Sequence, residues 1–141
     1  MGRYRQRGLR FTLALVVVLG CVTMDNAVRI GPDATTDSLV FLLTSAANTG
    51  QPPTLVYGLS VVRCNTEEAF WTVAADGSRQ MPTRIVYGRP IAGFPARAGP
   101  VPLTPGCYEV ILSGAAPRRF EVRPDRTIST RDSASSDRSR P

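Results

Sequence analysis

Few side chains in this sequence can do chemistry, and their types close off most reactions at once. The 141 residues contain no His, and all 17 cationic residues are Arg. Without His there is no Ser-His-Asp triad, no Cys-His pair and no imidazole metal ligand. Without Lys there is no Schiff base, no Ser-Lys dyad and no phosphate-loop lysine. Carboxylates, Tyr, Ser and three Cys remain. Glu67-Glu68 is the only adjacent acid pair. Glycoside hydrolysis needs two carboxyl groups about 5–9.5 Å apart across a cleft. Neighbours on a strand point to opposite faces, so a solvated turn is the expectation and a small carboxylate-dependent hydrolase ranks third among the functions considered. Asp25, Asp33 and Asp37 lack the ligand spacing of a calcium loop. The glycines of Gly88-x4-Gly93 are followed by Phe94-Pro95 where a phosphate loop needs Lys and Ser or Thr. No catalytic residue, metal ligand or cofactor is assigned.

Three aromatic residues form the second candidate set. Tyr57 and Tyr87 each lie in a Val-Tyr-Gly triplet, and Trp71 is the sole tryptophan. Exposed together, these rings would make a platform for a glycan. Placed inside, they fill a core and keep their hydroxyls at the rim.

The N-terminus has a different character. Arg3, Arg5, Arg7 and Arg10 precede FTLALVVVL at residues 11–19, the order of a secretory signal. Nine residues of helix would reach about 14 Å, roughly half of a hydrocarbon core, so a stable membrane span is not expected. No Arg-Arg pair precedes the apolar run, which favours general secretion over the twin-arginine route.

Val18-Leu19-Gly20-Cys21 resembles the lipobox of bacterial lipoproteins. The resemblance implies cleavage before Cys21, a diacylglyceryl thioether on its sulfur and an acyl chain, palmitate for example, on its new amino group. Val22 stands where an Asp would imply retention at the inner membrane, so it also implies an outer-membrane location, on its periplasmic or surface face. The alternative is an ordinary signal cleaved after Gly20, which would leave Cys21 as an odd thiol in an oxidising compartment.

Removing the signal changes the charge. The formal net charge of +6 includes four Arg from the first ten residues, so residues 21–141 carry +2. Binding a polyanion by counterion release needs a clear cationic excess, and no nucleic-acid partner is expected. With Cys21 lipidated, Cys64 and Cys107 are the remaining thiols of an exported chain, and a structural disulfide is the expectation, with two buried free thiols as the alternative. Closing that loop of 43 positions is worth about 4 kcal/mol in the chain-entropy model.

Those residues must be carried by short strands. Residues 21–37 are polar and turn-rich and read as a tether, although Val28-Arg29-Ile30 has strand character. Strand-like runs follow at 38–44, 54–63, 70–74, 84–87, 108–112, 118–122 and 127–129. In the second of these, period 2 puts Leu55, Tyr57, Leu59 and Val61 on one face. Asp76-Gly77 reads as a hairpin turn. The five prolines between 88 and 106 suit extended edge and loop. Twelve Pro and twelve Gly, with no helical period, leave a mainly β fold: a small antiparallel β-sandwich of about seven strands over 38–130. Residues 131–141 (RDSASSDRSRP) read as a disordered tail.

Leu103-Thr104-Pro105-Gly106-Cys107-Tyr108-Glu109-Val110 resembles the L-x-P-G-x-Y-x-V turn-into-strand signature of carboxypeptidase-regulatory-like and transthyretin-like β-sandwich modules. The resemblance covers about thirty residues and implies an immunoglobulin-like sandwich with Tyr108 in the core. The leading expectation is a lipid-anchored envelope domain with a non-catalytic protein-binding or structural role. Its partners would be the membrane and an envelope protein, with a glycan-binding module as the alternative.

Overall fold

The computed structural model describes residues 25–48 and 50–130. The expected signal sequence, Cys21 and the expected tail at 131–141 lie outside them. The described chain is all β, with nine strands and no helix. These are β1 (Asn26–Ile30), β2 (Val40–Ser45), β3 (Val56–Arg63), β4 (Ala69–Arg79), β5 (Arg84–Val86), β6 (Ala96–Ala98), β7 (Gly106–Leu112), β8 (Arg118–Val122) and β9 (Ile128–Ser129). Two antiparallel sheets result, one of three strands in the order β1-β2-β5 and one of six in the order β6-β4-β3-β7-β8-β9. The expected β-sandwich is therefore present.

Alternation of side chains makes its core. Val28, Phe41, Leu43 and Ile85 of the small sheet face Leu59, Val61, Trp71, Val73, Tyr108, Val110, Leu112, Phe120 and Val122 of the large one, all buried. Phe70 and Trp71 are consecutive yet both buried, because Val62 pairs with Ala69 and Val61 with Trp71, leaving Phe70 as the extra residue of a bulge.

Two sequence expectations change. The sandwich begins at Asn26, not residue 38: β1 pairs with β2 from Asn26↔Ser45 to Ile30↔Phe41, and Val28 is buried. Its polar flanks hid a strand that contributes one fully internal side chain. Asp76-Gly77 is not a hairpin turn but a bulged stretch inside β4, which rejoins β3 at Arg79↔Val56 after Ala74↔Gly58. The proline-rich segment, expected as extended edge and loop, does supply an edge strand, β6, paired to β4 through Thr72↔Ala98 and Val73↔Ala96. Its short length at the sheet edge is what a chain with so few free backbone donors can supply.

Candidate functional site

The disulfide joins Cys64, just past β3, to Cys107 in β7, with Cα atoms 5.3 Å apart. Because β3 and β7 are antiparallel neighbours, the end of one meets the start of the other, and Cys64 N–H also donates to the Cys107 carbonyl at 3.0 Å. Beside the bridge, the buried Tyr108 hydroxyl donates to the Thr104 carbonyl (2.7 Å) and accepts from the Thr104 N–H (3.0 Å). Arg63 lies over the rings of Phe70 and Tyr108, 5.2 Å from each centroid, and donates to the Thr104 hydroxyl. A guanidinium set against two rings that meet edge to face adds cation–π attraction to its hydrogen bonds. Its Nε is also 3.8 Å from Glu68, so that member of the acid pair faces a cation, and both Glu67 and Glu68 are exposed.

The three aromatic candidates separate. Trp71 is buried and packs edge-on against Tyr87, with centroids 5.3 Å apart. Tyr87 is half-buried, and its hydroxyl donates to the Val101 carbonyl at 2.6 Å. Burial pushes this phenol up to about 12, so it stays protonated as an internal donor. Tyr57 alone stands in solvent, 60% exposed. The coplanar platform of Tyr57, Trp71 and Tyr87 is therefore absent: the burial that holds the two sheets together takes Trp71 for the core.

Leu55 and Tyr57 also depart from the expected face. Val56 is buried, whereas Leu55 is 66% exposed. The bulge between Val56 and Gly58 shifts the alternation by one, so Val56, Leu59 and Val61 face inward and Leu55 and Tyr57 do not. Leu55 also has φ +55°, a left-handed conformation unusual for a large non-Gly residue. Neighbouring contacts hold it there. The buried Asn26 side chain donates to the Thr54 carbonyl (3.1 Å) and the Ser113 carbonyl (3.0 Å). The Ser113 hydroxyl accepts from Tyr57 N–H (3.1 Å) and Gly58 N–H (3.0 Å). Pro52-Pro53 before the pair and Gly58 after it were the available sequence signals for an interrupted strand.

A second surface was not foreseen. Arg29, Leu42 and Arg84 stand side by side across β1, β2 and β5, since Arg29 pairs with Leu42 and Leu42 with Arg84. Both arginines are exposed, and with Ala27, Thr44 and Arg118 they line a shallow groove of about 730 Å³. Among the described residues, no group of three or more Cys, His, Asp or Glu side chains is placed to hold a metal. No protein-family model, curated protein or solved structure matches this chain.

Proposed function

We propose that this protein is a lipid-anchored module of the bacterial cell envelope, held at the outer membrane through Cys21, whose β-sandwich binds or braces another envelope protein. The lipobox resemblance of Val18-Leu19-Gly20-Cys21 supports the anchor, and the L-x-P-G-x-Y-x-V resemblance supports a module of the exported β-sandwich kind. The disulfide suits an oxidising compartment.

One observation carries the binding role: Leu55 and Tyr57 are exposed on either side of the buried Val56, with Leu55 in a left-handed conformation. An exposed Tyr beside an apolar neighbour, on a strained but well-tied backbone, is suited to anchor a binding hot spot. Tyr suits such a site because it offers a large apolar face and a polar tip at low conformational cost. Two measurements in the native host test the proposal. Metabolic labelling with a palmitate analogue should mark the wild-type chain and not Cys21→Ser, and undiminished labelling of that variant refutes the anchor. A photo-crosslinking amino acid at position 57 should capture a discrete protein adduct that the same group at exposed Glu67 does not. Equal capture at both positions refutes the binding site.

A further inference from the structure

We infer that the outward face of the three-stranded sheet is a docking surface for the anionic phospholipid headgroups of the membrane that carries the anchor. The inference rests on the Cys21 reading and adds to it an orientation and a lipid preference. The row Arg29–Leu42–Arg84 sets two guanidinium groups on either side of an apolar side chain, on strands about 10 Å apart in total. β1, β2 and β5 contain no Asp or Glu, and neither Arg29 nor Arg84 makes an ion pair with a described residue. The acids nearest to Arg29 along the chain are Asp25 and Asp33, four positions to either side and both outside β1. Arg118 completes the rim from β8, where its Nε donates to the Val28 carbonyl at 3.2 Å.

The large sheet handles charge differently. On its outer face Glu109 and Arg119 sit opposite one another and pair, and Asp76 pairs with Arg97 at 3.1 Å. On the small sheet Arg29 and Arg84 have no ion-pair partner among the described residues, and they give that side its positive charge.

Chain length says what that side meets. Asn26, the first residue of β1, is five positions after Cys21, so the sheet starts within roughly 18 Å of the lipidated residue even with the chain fully extended. Phosphodiester groups match the donor fork of Arg, and Leu42 gives the arginine stems an apolar bed. Each guanidinium near an anionic surface is worth roughly a fivefold gain in affinity, screened by salt.

The mature chain, extracted with its lipid, would be placed in phosphatidylcholine bicelles containing increasing phosphatidylglycerol and a nitroxide-labelled lipid. With phosphatidylglycerol present, NMR relaxation should be enhanced at the amides of Ala27, Leu42 and Thr44 over those of Ser60, Thr72 and Ile111. Arg29→Gln with Arg84→Gln should lower the apparent phosphatidylglycerol affinity of this face roughly 25-fold and leave the fold's spectrum intact. Equal enhancement on both sheets, or selectivity unchanged in the double variant, overturns the assignment. Inorganic phosphate shifting the Arg29 and Arg84 side-chain resonances as strongly as phosphatidylglycerol would make the ligand a free anion and overturns it too. So would tighter binding of a polyglutamate peptide, which would make the partner an acidic protein. Intact mass on the same sample separates the two readings. A chain without the diacylglyceryl mass refutes the anchor, while phosphatidylglycerol selectivity at Leu42 still upholds the docking face.

Discussion

The two ends of β3 solve opposite problems. At its C-terminal end a cluster of interactive groups is spent on internal contacts: Cys64 on Cys107, Arg63 on two rings, the Tyr108 hydroxyl on Thr104, and nearby the Tyr87 hydroxyl on Val101. At its N-terminal end Leu55 and Tyr57 point their apolar surface at solvent. The backbone there is no less tied, since Asn26 and Ser113 between them contact Thr54, Tyr57 and Gly58. One end uses its unusual residues for stability, and the other uses stability to present unusual residues. Strain at Leu55 is tolerable because β3 is buried on the core side and paired on both edges, with β4 and β7.

Breaking the closed end should have the largest effect. Replacing Cys64 and Cys107 together by Ser should remove about 4 kcal/mol of stability, read from the midpoint and slope of a denaturant titration. A loss under 1 kcal/mol would mean the Arg63–Tyr108 packing holds this end without the bridge. Tyr87→Phe should cost about 1 kcal/mol, because the Val101 carbonyl loses its donor. The same variant should alter the alkaline limb. In the folded state the Tyr87 phenol is pushed up to about 12 against an ordinary value near 10, so the folded state holds its proton where the unfolded state releases it. That contribution is complete below pH 10 and is lost as pH rises toward 12. Thermal melts over that window should therefore fall less steeply for Tyr87→Phe than for the wild type.

The smallest effect has the opposite sign. Leu55→Gly relieves a left-handed conformation at an exposed site, at the cost of extra freedom in the unfolded chain. Stability should stay within about 1 kcal/mol of wild type, on the stabilising side. Capture of a partner by the crosslinker at position 57 should nevertheless drop. A variant as destabilised as a core truncation would show that Leu55 is a packing residue and would remove the contrast between the two ends.

How much of this was legible can be argued from particular residues. Tyr108, Val110 and Leu112 alternate with Glu109 and Ile111 in the sequence as they do in β7, because that strand has one buried face and no bulge. The pairing of Cys64 with Cys107 was legible from the expectation that Cys21 is lipidated and the chain exported, which leaves two thiols to join. Around β3 the same period-2 rule put Leu55 and Tyr57 on one face with Leu59 and Val61, and the bulge between Val56 and Gly58 separated them. β1 looked like a tether because NAVRI contributes only Val28 as a fully buried apolar side chain.

From the sequence alone came a β-sandwich, its staple, an N-terminal stretch of arginines followed by an apolar run, and a chain without the residue types of most hydrolases. These follow from composition and short-range periodicity, which act between residues a few positions apart. Which aromatic ring is exposed, and which arginines share a face, was decided by tertiary structure. Trp71 went inside because the two sheets close over it, and Arg29 met Arg84 only through the register of β2 between them. Both depend on pairing between distant strands, where a single extra residue turns a side chain from core to solvent.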